Sequence, residues 1–562
     1  MRFAGLVILS VVWTIVATAQ GRGPTDWMTS NGDAQRSSWV RADAKISRER
    51  LQKPGFQFLW KLQLKNKPKQ LNSLTPPALL DLLIGYRGFR TLAFVGGSSD
   101  NVFVIDTDLG RLEWEKNITS SGAQSGGTAG TMACPGGMTA GVTRPTITAI
   151  APPPPPARRN ESGGRGSLAS SAVGNPGQGA VMLARMSPPP PPPPKPAAPP
   201  KPSSPPPPQA PGSNIFGAGP FLVYSLASDG MLHSMHLSNG ADFAPPLKFL
   251  PPNANGYGLT VIDNVAYIVT EQNCGGVPNG LWALDLATRE VKSWKANITG
   301  SAGPAFGPDG TVYVTTGGGE ESPFSLVALD PKTLQVKGKY SAGNIDFTSS
   351  PVVFAYKDKI LIAATTRDGV VHLLDSKGLQ APLYRTPAFS SSSSTATSAT
   401  EFPPPALSSW QSTDGTRWLL APVSGPVSTE AGFTAATGGA TKGAIVAWKV
   451  VEKDGAIVLQ PGWVSRELTS PLPPTIINGV VFALSSGEYR SADNKLTAPQ
   501  RAKRSSPAIL YALDGETGKE LWNSGATITS FVHGGSLSGG SGQLYVGTYD
   551  GTLYAFGFPM EH

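Results

Sequence analysis

Apolar and polar residues alternate in short runs along the chain, and turn sequences separate these runs. The clearest copies are ILYALDGETGKELW at 509–522 and QLYVGTYDGTLYAF at 543–556. In the second copy, one alternating run leads into Asp550-Gly551 and then into another alternating run. Side chains alternate between the two faces of a strand, so a two-residue period around Asp-Gly indicates a β-hairpin. The pattern predicts a chain of short antiparallel strands.

The hairpins belong to a longer repeat. Strands end in an Asp at Asp285, Asp330 and Asp375, at a spacing of 45 residues. This period fits a blade of four strands, A to D from the central axis outward, and repetition of such blades is typical of a β-propeller. Strand B is the most apolar, and its copies are Leu92–Gly96, Phe221–Leu226, Val265–Thr270, Thr311–Thr315, Ile360–Thr365, Trp418–Ala421, Val480–Leu484 and Leu544–Thr548. We therefore predict an all-β, eight-bladed β-propeller that forms a single domain over residues 20–562.

The eighth blade has no strand D after its third strand. Phe56–Leu64 (FQFLWKLQL) has the pattern of a strand D but belongs to no blade of its own. We expect this N-terminal strand to complete the eighth blade and close the ring, because a propeller must protect its sheet edges.

The first 19 residues have a different composition. Arg2 is followed by an apolar run from Phe3 to Val16 and by Ala17-Thr18-Ala19. This pattern predicts a secretory signal peptide cleaved near Ala19-Gln20, and the alternative is a membrane anchor. Because the apolar run is short for a bilayer, we expect a periplasmic or secreted protein.

Residues 151–212 are rich in proline, with PPPPP at 152–156 and SPPPPPPPKPAAPPKPSSPPPPQAP at 187–211. Such sequence buries too little apolar surface to fold, so we expect a disordered insertion between strands A and B of blade two. It is either a spacer or an arm that docks on partners with aromatic grooves, and weak contact of this arm with the surface of the cell envelope is a further expectation. The formal net charge is +8, but aromatic residues do not interleave with the basic runs, so a nucleic-acid partner is not expected.

The long loops fall mainly on one face. In an antiparallel blade, the B-to-C loops and the connections from strand D to the next strand A share a face, which we call the decorated face. Loops of this kind are 119–142, 271–280, 316–323, 386–402, 422–442 and 486–506. Binding sites concentrate in such loops, so we expect a protein or glycan partner on this face, bound by a monomer.

The two cysteines of the chain both fall on the decorated face, Cys134 after blade one and Cys274 in blade three. In an oxidising compartment such a pair predicts a disulfide, and the alternative is two free thiols. A zinc site is not expected, because two cysteines supply too few soft ligands.

Polar residues on the decorated face include candidate ligands for a hard cation, since carboxylate and amide oxygens bind calcium. These candidates are Glu271, Asn273, Glu320, Glu321 and Asp346. The alternative is that they are ordinary loop residues. His533 is the best placed of the five histidines, but a histidine without an identifiable partner is more often structural.

The repeats resemble the pyrroloquinoline-quinone-repeat, or quinoprotein-dehydrogenase-like, propeller family. The resemblance rests on ALDGETGKELW at 512–522, LYVGTYDGTLYAF at 544–556, ALDLATREVKSW at 283–294, VIDTDLGRLEW at 104–114 and WMTSNGDAQRSSW at 27–39. For members that oxidise alcohols or sugars, it implies a quinone held beneath a disulfide of adjacent cysteines, over a tryptophan and beside calcium. This chain has no adjacent cysteines and no Cys-x-x-Cys-His haem motif.

Three functions follow from these observations. The main expectation is an exported, non-catalytic binding or scaffold protein that acts through the decorated face without a cofactor. The alternative is a quinoprotein dehydrogenase that oxidises alcohols or sugars with pyrroloquinoline quinone and calcium. A third reading is a structural surface protein whose proline-rich arm contacts the envelope. The fold alone does not decide between them.

Overall fold

The computed structural model describes residues 27–85, 88–119, 130–150, 221–390, 406–433, 440–490, 495–535 and 537–559. The chain divides into two units, of which one comprises Met1–Pro155 and Phe216–His562 and contains all the described residues. The predicted signal peptide at 1–19 and the predicted insertion at 151–212 lie outside the described residues.

Eight sheets correspond to the eight predicted blades. Ahead of them come β1 (Trp39–Val40), helix α1 (Arg48–Leu51) and β2 (Gln57–Gln63). Blade one has β3 (Ala78–Gly85), β4 (Gly88–Gly97), β5 (Asn101–Asp106) and β6 (Arg111–Asn117). After β7 (Pro145–Thr146), blade two has β8 (Leu222–Leu226), β9 (Met231–His236) and β10 (Leu247–Lys248). Blade three has β11 (Asn255–Ile262), β12 (Val265–Glu271), a 3₁₀ turn (Cys274–Gly276), β13 (Gly280–Asp285) and β14 (Val291–Lys295).

The remaining blades follow the same order. Blade four has β15 (Ile298–Thr299), β16 (Ala305–Phe306), β17 (Val312–Thr316), β18 (Ser325–Leu329) and β19 (Val336–Ser341). Blade five has β20 (Val352–Tyr356), β21 (Lys359–Thr365), β22 (Val371–Asp375) and β23 (Tyr384–Arg385). Blade six has β24 (Ser408–Gln411), β25 (Arg417–Ser424), a 3₁₀ turn (Thr429–Ala431), β26 (Gly443–Lys453) and β27 (Ala456–Val464). Blade seven has β28 (Thr475–Ile477), β29 (Val480–Ser485), helix α2 (Ala498–Arg504), β30 (Ile509–Asp514) and β31 (Glu520–Asn523), and blade eight has β32 (Leu537–Gly540), β33 (Gln543–Gly547) and β34 (Thr552–Gly557).

The blades form a closed ring. The innermost strands of blades four to eight contact one another in order, and β32 of blade eight contacts β3 of blade one. Strand β2 pairs antiparallel with β34, from Gln57 opposite Gly557 to Gln63 opposite Thr552. It therefore stands in the outermost position of blade eight, where Phe56–Leu64 was expected.

The aspartates that end strand C shape the turns that follow. Asp514 Oδ1 accepts hydrogen bonds from the backbone N–H groups of Glu516 and Thr517, at 3.1 and 2.9 Å. Asp285 and Asp330 make the same pair of bonds to the residues two and three positions later. An aspartate side chain that caps its own turn in this way stabilises the hairpin through contacts between residues close in sequence. The repeat can therefore be recognised from the sequence.

Tryptophans of strand D hold neighbouring blades together. In three of them the indole Nε1–H donates to a carbonyl in or near the turn between strands C and D of the next blade, Trp60 to Thr107, Trp114 to Leu237 and Trp463 to Gly515. The turn glycine beneath Trp463 is Gly518, which has a φ of +71° and no room for a Cβ. The indole thus contributes both apolar area and a satisfied N–H to the contact between blades.

Residues 27–40, which we call the inner segment, pack inside the ring and contact seven blades in succession. Its backbone oxygens accept from Leu79, Arg144, Phe306, Val353, Ser409 and Ile476, and Thr29 donates to Leu259. Strand β1 at its end pairs in parallel with β28 of blade seven. A single segment therefore links the innermost strands of blades one to seven.

Arg36 fixes the middle of the inner segment. Its side chain is fully buried, and its guanidinium donates to Pro304 O at 2.8 Å, Ser30 O at 2.8 Å and Thr260 Oγ1 at 2.6 Å. Burial lowers the pKa of Arg36 to about 9, against the opposing effect of Asp33. The hydrogen bonds to neutral oxygens compensate for the loss of hydration.

Blade two departs from the expected pattern. Because the insertion at 151–212 is expected between strands A and B of blade two, the sequence predicts strand A just ahead of it, at Arg144-Pro145. Pro145–Thr146 instead pairs in parallel with β11 of blade three, and among the described residues Thr143 bridges β8 through Tyr224. Proline has no N–H to donate and suits a strand edge, so the chain leaves blade two at this point. No helix in the described ranges is long and apolar enough to cross a membrane.

Candidate functional site

A cavity of about 440 Å³ lies at the axis of the ring. The inner segment lines it with Trp27 and Asn31, and three decorated-face loops reach it through Ala133, Glu271 and Arg501. We call this space the axial cavity. Its volume falls in the range of about 300–1,000 Å³ that is usual for small-molecule sites.

Glu271 stands in one wall of the axial cavity, at the end of β12. It lies opposite Asn255 in the pairing of β11 with β12, and Asn255 Nδ2 donates to Glu271 Oε1 at 3.1 Å. Asn255 Nδ2 also reaches Ala133 O at 3.2 Å. Burial raises the pKa of Glu271 to about 7, and the bond from Asn255 offsets this only in part. Glu271 can therefore exchange a proton near neutral pH.

A histidine–glutamate pair stands in the wall formed by blades seven and eight. His533 lines the cavity, and its Nδ1 lies 2.6 Å from Glu488 Oε1. The other carboxylate oxygen of Glu488 accepts from Arg490 Nε at 3.2 Å. Burial acts to raise the pKa of Glu488, but His533 and Arg490 outweigh it and lower the pKa to about 2. Glu488 is therefore ionised at neutral pH.

Two hydrogen-bond donors of the inner segment have no partner in the part of the chain that the structure describes. Trp27 Nε1 and Asn31 Nδ2 are both buried, and neither has a hydrogen-bond partner among the described residues. Buried polar groups are almost always paired, and both residues line the axial cavity. The side chains of these two residues therefore give the cavity wall donors that suit a ligand rich in acceptor oxygens.

Cys134 and Cys274 form a disulfide beside the cavity, with their Cα atoms 5.5 Å apart. The bond joins the loop after blade one to the 3₁₀ turn of blade three. Ala133, next to Cys134, supplies the carbonyl that binds Asn255. The disulfide thus holds together the two loops that position Glu271 and its amide partner.

The other predicted cation ligands do not gather around Glu271. Asp346 Oδ2 pairs with Arg367 at 2.8 Å, and Asn273 bonds with Asn279. Glu320 and Glu321 are exposed to solvent. Among the described residues, no group of three or more His, Cys, Asp or Glu side chains is placed to hold a metal ion. Loops 386–402 and 422–442, expected to form a contact surface, lie partly outside the described residues.

Sequence reasoning missed Trp27, Asn31, Asn255 and Glu488 as site residues. Trp27 and Asn31 lie in WMTSNGDAQRSSW, a motif that resembles a family segment but does not by itself indicate a binding role for either residue. Asn255 and Glu488 lie in no motif. Asn255 reaches the cavity through the pairing of β11 with β12, and Glu488 joins the site through its contact with His533. Of these four residues, only the two in the inner segment belong to a motif that can be recognised in the sequence.

No family model and no curated protein matches the sequence. Solved structures do match. The quinohemoprotein alcohol dehydrogenase of Comamonas testosteroni is 14% identical, covers 97% of this chain and 82% of its own, and gives a TM-score of 0.53. A europium-containing methanol dehydrogenase is 10% identical, with 96% and 99% covered and a TM-score of 0.52.

A quinohemoprotein alcohol dehydrogenase from Pseudomonas putida HK5 is also similar, at 12% identity, with 96% and 81% covered and a TM-score of 0.52. Identities this low establish the fold alone. The chain has the eight-bladed propeller fold of these quinoprotein dehydrogenases.

Proposed function

We propose that the axial cavity binds a planar, acceptor-rich cofactor of the pyrroloquinoline quinone class, and that the protein oxidises alcohols or sugars with it. The observation that carries the proposal is the axial cavity lined by Trp27 and Asn31, each of which has a buried donor nitrogen without a partner among the described residues. The similarity of the fold to quinohemoprotein alcohol dehydrogenases supports the same choice.

The donors in the cavity fit such a quinone. Its carbonyl and carboxylate oxygens are hydrogen-bond acceptors, and they would satisfy the N–H groups of Trp27 and Asn31, which otherwise cost free energy when buried. The cavity volume of about 440 Å³ suits a ligand of this size.

Calcium does not fit as a site built by the protein. Glu271 and Asn255 provide one carboxylate and one amide, whereas calcium takes six to eight oxygen ligands. No further acidic side chain completes a cluster among the described residues. We therefore derive no step through a metal ion.

The residues of the chain would bind and orient the ligands. When bound, the quinone supplies a two-electron oxidant for the carbinol carbon of the substrate. Trp27 and Asn31 would hold the plane of the cofactor against the inner segment. The guanidinium of the buried Arg36 donates to Ser30 O, in the backbone between Trp27 and Asn31. This bond would hold both side chains in position before the ligand binds.

The main expectation from sequence, a non-catalytic scaffold, has less support. It depended on loops 386–402 and 422–442, which lie partly outside the described residues, whereas the similar structures are those of dehydrogenases. We retain the expectation of export as part of the proposal, and fractionation of expressing cells tests it through the location of the mature chain.

The test is to incubate the protein with the quinone, with and without Ca²⁺, and to record a spectrum after desalting. We expect retained quinone and dye-linked oxidation of simple alcohols or aldoses. Glu320→Ala with Glu321→Ala is the control, and this variant should keep full activity because both side chains are exposed. Complete loss of the quinone on desalting in both conditions would contradict the proposal.

A further inference from the structure

His533 is held in one orientation relative to the axial cavity. Its Nδ1 lies 2.6 Å from an oxygen of Glu488. A carboxylate oxygen only accepts, so Nδ1 carries the proton and donates it to Glu488. In the neutral ring the lone pair is then on Nε2, the nitrogen that Glu488 does not occupy.

Glu488 is itself fixed. Its side chain is 2% exposed, its second oxygen accepts from Arg490, and its backbone oxygen accepts from Ser470 Oγ at 2.9 Å. A carboxylate fixed in this way sets the tautomer of the imidazole and stabilises the imidazolium ion that forms when the ring takes a proton. This arrangement is the one that a histidine base requires.

Glu271 is the other candidate for a proton acceptor in the cavity. Its Oε1 is already bonded to Asn255, and burial raises its pKa to about 7. At neutral pH a large fraction of Glu271 is therefore protonated and cannot accept a proton. Glu488 is ionised at the same pH, and its negative charge stabilises the positive charge that His533 acquires when it takes a proton. His533 is therefore the better proton acceptor of the two.

We infer that His533 Nε2 accepts the hydroxyl proton of the substrate, with Glu488 as the positioning residue. This inference rests on the proposed function. The hydroxyl O–H bond breaks and its proton goes to His533, and the C–H bond of the same carbon breaks as a hydride passes to the cofactor. A C=O bond forms, so the substrate loses two electrons and the cofactor gains them.

The experiment measures quinone binding and quinone reduction separately, in the wild type and in His533→Ala, Glu488→Gln and Glu271→Gln. Quinone-loaded protein is mixed with an alcohol or aldose in a stopped-flow instrument, and the spectrum of the cofactor gives the rate. We expect His533→Ala to bind quinone normally but to reduce it about 100-fold or more slowly, the usual size of a general-base effect. Added imidazole should restore part of the rate.

Glu488→Gln should lower the reduction rate about tenfold or more with little change in quinone affinity, because the tautomer is no longer fixed. Imidazole should not rescue this variant, since its histidine still fills the position. Glu320→Gln, at an exposed position that does not line the cavity, is the control and should keep the full rate, whereas Glu271→Gln tests the competing proton acceptor and should lower the rate less than His533→Ala does. Melting curves confirm that each variant is folded.

Each contrary outcome has a distinct meaning. Quinone bound by His533→Ala and reduced at the wild-type rate overturns the inference alone. Loss of quinone binding in His533→Ala assigns the residue to holding the cofactor and likewise overturns it, as does a rate lost in Glu271→Gln only. Wild-type protein that binds no quinone, or that binds it without oxidising any substrate, overturns the proposed function and the inference together.

Discussion

Replacing Glu271 by glutamine should stabilise the protein, but only at neutral and alkaline pH. Burial raises the pKa of Glu271 from 4.5 to about 7, so the folded state binds this proton more tightly than the unfolded state does. As the pH rises from 4.5 to 7, the unfolded chain releases the proton first and the free energy of unfolding falls. Each pKa unit is worth about 1.4 kcal/mol, which gives a loss of about 3 kcal/mol above pH 7.

Glutamine keeps the oxygen that accepts from Asn255 and carries no charge. Glu271→Gln should therefore match the wild type at pH 4 and exceed it by about 3 kcal/mol at pH 8. Urea unfolding followed by tryptophan fluorescence at pH 4, 6 and 8 measures the difference, provided that the slope of each transition is unchanged. Glu320→Gln, at an exposed position, is the control for the loss of an acidic side chain outside the cavity. A difference that is equal at pH 4 and pH 8, or a less stable variant at pH 8, would refute the argument.

Three further predictions concern the ring. Gly518→Ala places a Cβ 2.5 Å from an indole carbon, whereas a Cβ at Gly525 meets no atom within 4 Å. Both glycines have positive φ, so the two variants share the same kind of backbone strain and differ in packing. Urea unfolding should therefore show Gly518→Ala to be less stable than Gly525→Ala by about 1 kcal/mol or more. Deletion of residues 20–64 removes β2 and the inner segment, so gel filtration should show aggregates, and a stable monomer would be inconsistent with closure by β2. Non-reducing peptide mapping should recover Cys134 linked to Cys274, a bond that contributes roughly 3–5 kcal/mol, and two alkylated thiols would rule it out.

The blades could be predicted from sequence because their determinants are local. Strand B is apolar along its whole length since both faces are buried, and Asp514 caps the turn that its own strand leads into. The expectation for β2 also succeeded from pattern alone, because its alternation matched the one missing strand. At Arg144-Pro145 the local pattern was misleading, since the pairing partner belongs to a different blade.

The cavity could not be predicted in the same way. His533 meets Glu488 across 45 residues, and Thr29 of the inner segment bonds with blade three across 230. Such contacts depend on the order of the blades around the axis. A short sequence motif contains no information about that order. Glu320 and Glu321 lie in a loop where the sequence predicts cation ligands, but both side chains are exposed to solvent and do not reach the cavity.

The central claim is that the donors of the inner segment bind an acceptor-rich ligand in the axial cavity. Asn31→Asp tests it most directly, because aspartate has nearly the same shape, tolerates the φ of 54° at this position and replaces an N–H donor with an anionic acceptor. Equilibrium titration with pyrroloquinoline quinone should give one site per chain in the wild type, with affinity at least about tenfold weaker in Asn31→Asp, since a hydrogen bond to a charged group is worth about 1.5–3 kcal/mol. Equal affinity in the two proteins, or no saturable binding in the wild type, would contradict the account.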